Sequence, residues 1–141
     1  MKLLLLDQFC VDFVSIVFGN VEGKLTAEEW VLMRQHPAHA LRMLEPISFL
    51  SRALEVPYSH HERWDGTGYP QGLKGEAIPF WARIFSIVDV WDALRSNRPY
   101  HLPMPDDDVR VYLRQQSGTQ FDPQVVDAFL AISNDEWEKI T

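Results

Sequence analysis

Between Gly66 and Pro79 the chain holds four glycines (66, 68, 72, 75) and two prolines (70, 79) in fourteen residues. No regular element tolerates that mixture. Glycine reaches backbone angles that other residues avoid, and proline locks φ and removes a hydrogen-bond donor. The stretch is therefore a loop of fixed turns near the middle of a 141-residue chain. The regular elements must end on one side of it and begin again on the other.

On the N-terminal side, Thr26-Ala27-Glu28-Glu29 reads as a capping box, with Thr26 as N-cap and Glu29 at N3. The helix it opens is expected to run to about Gln35. A second helix is expected from Pro37 to Leu44, closed by Pro46. Ile47–Trp64 reads as a third, kinked before Pro57. Beyond the loop, Pro79 suits the first turn of a helix to about Arg95. Ser96–Pro105 reads as a second loop. Asp106–Gln116 reads as a helix with acidic residues where the dipole favours them, stopped by Gly118. Asp122-Pro123 caps a last helix to about Ile132. No strand-like alternation is visible, so the expected fold class is all-α. Leu3–Phe18 reads as a mostly buried segment and residues 133–141 as a loose tail.

Composition narrows the function. Hydrophobic content of 46% and charged content of 23% are those of an ordinary globular domain, enough for one core. A net charge of -7 argues against DNA or RNA as partner, since both require a basic face. Cys10 is the single cysteine, which excludes an internal disulfide framework and fits a reducing cytoplasm. No run of 18 apolar residues marks a membrane span.

Four of the five histidines precede residue 62, and His60-His61 are adjacent. Neighbours on a helix point about 100° apart, so both reach one metal cluster only in a groove between helices. His36 lies at an earlier helix end. Asp89 sits within the apolar run 84–91, where a carboxylate needs a partner. A metal ion is one candidate; Arg83 and Arg95 are others. Imidazole with carboxylate suits iron, manganese, zinc or nickel rather than calcium. Ordinary core or surface histidines remain the other reading at this point.

The run His60-His61-Glu62-Arg63-Trp64-Asp65-Gly66-Thr67-Gly68-Tyr69-Pro70 matches the pattern HHExxDGxGYP. The match extends to Gly23–Thr26, Glu29-Trp30 and His36-Pro37 upstream. Downstream it includes Gly72-Leu73, Gly75, Ile78-Pro79, Ala82–Ile84, Asp89-Val90, Asp92–Leu94, Arg98–Tyr100, Gly118–Pro123 and Val126. On residues 23–130 the chain thus resembles the HD-GYP family, bacterial metal-dependent phosphodiesterases that cleave cyclic di-GMP. The resemblance implies a helical bundle of the HD type, incomplete at its N-terminus. It implies one domain over 1–141, with a divergent segment at 1–22 and a tail at 131–141. It makes His36, His60, His61 and Asp89 metal ligands, for two or more divalent ions in a complete site, iron or manganese foremost. Asp89 and Arg98 become the catalytic pair. Tyr69 and Arg98 would line the nucleotide site, framed by Gly68 and Pro70. His101 stands where the family often has a basic residue, which weakens that phosphate contact. The implied ligand is cyclic di-GMP or a related cyclic dinucleotide. A diguanylate cyclase domain is the implied partner of the loop.

The family's HD-x-G-K motif has no counterpart. Counting back from Gly23 without gaps places Asp7-Gln8-Phe9-Cys10-Val11 there, and residues 1–35 contain no histidine. Asp7 then replaces the histidine, Gln8 the aspartate and Val11 the lysine. Three readings follow: an active phosphodiesterase with its metal site rebuilt by Asp7 or a second chain; a catalytically inactive module binding nucleotide or protein through the loop; or a fragment with little function alone. A degenerate domain with weak or no activity alone is expected. Leu3–Leu6, Phe9 and Phe13, without upstream helices to cover them, are the expected homodimer contact.

Overall fold

The computed structural model describes residues 26–97 and 102–133. The capping box forms as expected: the Thr26 side chain accepts from Glu29 N–H at 3.3 Å, and Thr26 N–H donates to the Glu29 carboxylate at 2.7 Å. It opens α1 (Ala27–Met33), which has no buried residue and exposes Trp30, Val31 and Leu32. Packing holds this helix weakly, so its cap matters. Thr26→Ala is expected to cost about 1 kcal/mol locally, read as faster hydrogen exchange at the Glu29 amide with little change in global unfolding.

A tight turn leads into α2 (His36–Leu44), with Pro37 inside its first turn. The single helix expected over 47–64 is not formed. In its place are a 3-10 turn (Ser48–Leu50), further turns, and the five-residue α3 (Glu55–Ser59). Pro57 explains the break. It lacks the N–H that Ala53 carbonyl would need in a continuous helix, so it is accommodated only in the first turn of a new one. That restart ends at His60, the C-cap, and delivers the histidine pair to a helix end rather than a helix side.

Beyond the Gly-Pro loop lie α4 (Phe80–Arg95), α5 (Asp106–Gln115) and α6 (Pro123–Leu130). Among the described residues there is no strand, only an isolated bridge between Ser117 and Phe121. The chain is all-α, as expected. Ile87 and Trp91 of α4, Val109 and Leu113 of α5, and Val125, Val126 and Phe129 of α6 close around Phe121. Each fully buried side chain of this kind contributes about 1.5–3 kcal/mol. Arg110 ties the layers together: its guanidinium lies over Trp91, at 5.6 Å, and donates to the carbonyls of Leu130 and Ile132. The core thus lies in the C-terminal three helices, and α4 carries its other side towards α3. No described helix is long and apolar enough to cross a membrane.

Candidate metal centre

His36 is the first residue of α2, 2% exposed. Its Nδ1 lies 2.6 Å from the Met33 carbonyl, and His60 Nδ1 lies 3.0 Å from the Pro57 carbonyl. A carbonyl only accepts, so both rings carry their proton on Nδ1 and present Nε2 as the lone-pair nitrogen. Metal-binding histidines are oriented in this way. His61 Nε2 is 3.0 Å from His36 Nε2. The His60 and His61 rings are 4.0 Å apart and tilted by 40°. The three side chains each offer a nitrogen within 4.8 Å of the others. Donors about 2.0–2.1 Å from a shared ion fall in that range after small ring movements.

The electrostatics suit the same use. Burial, then the neighbouring His60 and His36 rings, pushes His61 down to about 2. Burial also lowers His36, against the opposing pull of the Met33 carbonyl, and His39 adds to the lowering. His61 stays neutral in the folded chain at pH values where the unfolded chain takes up a proton, and His36 is shifted in the same direction. Stability from this exclusion is present above about pH 6.5 and is lost as pH falls below it. The expected slope is about 1.4 kcal/mol per pH unit for each excluded proton. Urea unfolding between pH 7.5 and 4.5, with chelator present, measures it, and His61→Gln is expected to flatten it.

The loop is fastened to this cluster. Tyr69 N–H donates to the His61 carbonyl at 3.2 Å, and the Tyr69 ring stacks on the His61 ring at 4.9 Å and 24°. The Arg34 guanidinium lies 5.6 Å from the Tyr69 ring centre. Tyr69–Pro70 is a cis peptide. Gly68 lies so close to the backbone of residues 61–63 that a Cβ there would meet Arg63 N at 2.3 Å. Asp65 accepts from the Thr67 hydroxyl and backbone N–H, which hold its carboxyl below the usual range. From the far side, Trp64 and Asp65 donate backbone N–H groups to the Gln120 and Thr119 carbonyls, at 3.1 and 2.9 Å.

The structure therefore brings together His36, His60, His61, Tyr69, Gly68 and Pro70. Asp89 is half-buried on α4, one turn beyond Phe85, whose ring meets His60 edge-on at 5.7 Å. It is not among the three clustered side chains. Its two candidate cation partners pair elsewhere, Arg83 with Asp122 and Arg95 with Asp106, both at 2.6 Å. Arg98, His101, Asp7 and the 1–22 segment lie outside the described residues. Sequence reasoning gives Glu62 no role, yet it is 4% exposed and accepts from Gln71 and Leu73 N–H at 2.7 and 2.9 Å.

With this geometry in view, the relatives are informative. The family model described as HD domain matches residues 16–125. A cyclic di-GMP phosphodiesterase of Vibrio cholerae serotype O1 is 47% identical over an alignment of 117 residues that covers 78% of this chain and 24% of that protein. The cyclic di-GMP phosphodiesterase response regulator RpfG of Xanthomonas campestris is 46% identical over 110 residues, 77% of this chain and 29% of that one. The crystal structure of a cyclic GMP-AMP-specific phosphodiesterase from V. cholerae shares the fold, with a TM-score of 0.59 and 17% identity over 96% of this chain and 37% of that one. The chain belongs to the HD-GYP family of HD domains. It spans about a quarter of the length of the curated relatives it matches.

Proposed function

We propose that this chain is a metal-dependent phosphodiesterase module for cyclic dinucleotides, in a degenerate form with weak or no turnover alone. The observation that carries the reading is the cluster of His36, His60 and His61 with Tyr69 stacked upon it. These three imidazoles, with Asp89, would hold divalent iron or manganese. When bound, such ions supply an activated water and a clamp on the phosphodiester oxygens. The chain's own groups do the rest. Nδ1 contacts to the Met33 and Pro57 carbonyls keep two Nε2 atoms aimed inward. Tyr69 positions the nucleotide, flanked by Gly68 and Pro70. Arg98 neutralises charge growing on the phosphoryl oxygens. The product is linear pGpG or GMP.

The degenerate reading is supported by Asp7 and Gln8, which an ungapped count back from Gly23 places at the positions of the HD pair. A missing bridging carboxylate lowers metal affinity and leaves the attacking water poorly held. The Tyr69 ring, stacked on His61 and with the Arg34 guanidinium 5.6 Å from its centre, supports the second reading, an inactive module binding nucleotide or a diguanylate cyclase domain through the loop. A cytoplasmic homodimer completes the proposal; a strictly monomeric sedimentation profile at high concentration refutes the dimer.

Elemental analysis tests the site, on protein expressed with added iron and manganese and purified without oxygen. Near-stoichiometric metal that disappears in His60→Ala and His61→Ala is the expected result, followed by slow hydrolysis of cyclic di-GMP. Metal at background in the unsubstituted chain refutes catalysis by this chain alone.

A further inference from the structure

Glu62 occupies an unusual position. It follows the histidine pair directly, its side chain is buried, and both carboxylate oxygens are used, Oε1 by Gln71 N–H and Oε2 by Leu73 N–H. Those two residues lie near the surface, Gln71 exposed and Leu73 half-buried. Both bonds are nonetheless partly buried. The carboxylate thus ties two backbone amides of the loop to the residue that follows the histidine pair. Two further contacts join the same backbone segment to the same loop: the His61 carbonyl accepts from Tyr69 N–H, and Gly68 lies against residues 61–63. Residues 60–62 and 68–73 are thus clasped at three points, one of them Glu62.

We infer that Glu62 is a positioning residue: it clamps the Gly68–Leu73 loop onto the histidine pair, so that His61 and Tyr69 keep one orientation as a unit. The inference rests on the metal-site reading for its consequence, not for its geometry. Loss of the clamp loosens Tyr69, and with it the ring stacked on His61. Residues that orient a metal ligand in this way typically carry about 10–100-fold in affinity.

The test compares the full chain with Glu62→Gln and Glu62→Ala, using amide hydrogen exchange, imidazole 15N shifts, and titration with Co(II) as the metal probe. Glutamine has one acceptor oxygen in place of two, so it keeps one of the two bonds. Glu62→Ala is expected to exchange Gln71 and Leu73 amides at least about tenfold faster, to move the His61 15N shifts, and to weaken Co(II) binding about tenfold or more. Glu62→Gln falls between on all three. Unchanged exchange in Glu62→Ala overturns the clamp. Faster exchange with His61 shifts and Co(II) affinity unaltered overturns the coupling and leaves Glu62 a structural residue only. Should the unsubstituted chain take up no Co(II), the metal reading fails, while exchange and the His61 shifts still decide the clamp. Circular dichroism checks folding; if Glu62→Ala unfolds, Glu62→Gln carries the same comparison.

Discussion

Asp122→Ala is expected to lower the unfolding free energy by about 3–5 kcal/mol, the cost of leaving one member of a buried ion pair alone. Asp122 is 4% exposed and does two things. Its Oδ2 accepts from Arg83 Nη1 at 2.6 Å, and its Oδ1 accepts from Gln124 N–H at 2.9 Å, capping α6. Arg83 Nε is already buried without a hydrogen-bond partner, so when the carboxylate goes the guanidinium keeps chiefly the ring faces of Phe80 and Trp64, at 5.3 and 5.9 Å. Asn is nearly as good a cap as Asp, so Asp122→Asn keeps that part and removes the charge. Urea unfolding at neutral pH should rank wild type above Asp122→Asn and Asp122→Ala last. The two substitutions should differ by about 1 kcal/mol, the worth of the cap. A loss below about 1 kcal/mol for alanine would mean the pair is as weak as an exposed one.

Gly68→Ala is expected to unseat the loop at a cost of about 1–3 kcal/mol, the range for forced overpacking. The reason is space. The added Cβ would lie 2.3 Å from Arg63 N and 2.6 Å from both Glu62 Cα and His61 O, all main-chain atoms that cannot rotate away. The loop must move, and the hydrogen bond from Tyr69 N–H to the His61 carbonyl is the first to break. Gly72 makes a useful contrast. Its φ is +69°, and the nearest atom to an added Cβ is 3.7 Å away. Gly72→Ala therefore meets only the left-handed backbone penalty of about 1–2 kcal/mol. Hydrogen exchange at the Tyr69 amide separates them: accelerated in Gly68→Ala, little changed in Gly72→Ala. Equal behaviour of the two variants would refute the steric account.

Much of the architecture is legible in the sequence because its signals are local. The Thr26–Glu29 capping box, the Asp122-Pro123 cap and the Gly-Pro loop each declare themselves within a few residues, and each forms where expected. The stretch 47–64 misleads because Pro57 reads only as a kink in a helix, whereas its missing N–H goes with a break and a restart. The consequence reaches the site. Placed on a helix side, His60 and His61 would diverge; at the end of α3 their rings instead come within 4.0 Å and meet His36. Sequence pattern can name imidazoles but cannot show that two of them donate Nδ1–H to carbonyls three residues earlier. Glu62 is invisible for a related reason: its partners, Gln71 and Leu73, contribute only backbone N–H groups, which leave no trace in side-chain identity.

The bonds from Trp64 and Asp65 to the Gln120 and Thr119 carbonyls join segments far apart in the chain. Every imidazole of the cluster is made early in translation, yet the loop beside it rests on a turn made more than fifty residues later. A nascent chain that has emerged only as far as α5 carries all three histidines and the local clasps of the loop, but not the turn on which its far side rests. Such long-range closures are slow, because the intervening chain must first be ordered. Seating the loop on that turn is therefore a late closure, and a translation product halted before Thr119 would carry the three imidazoles without the turn that braces the loop beside them.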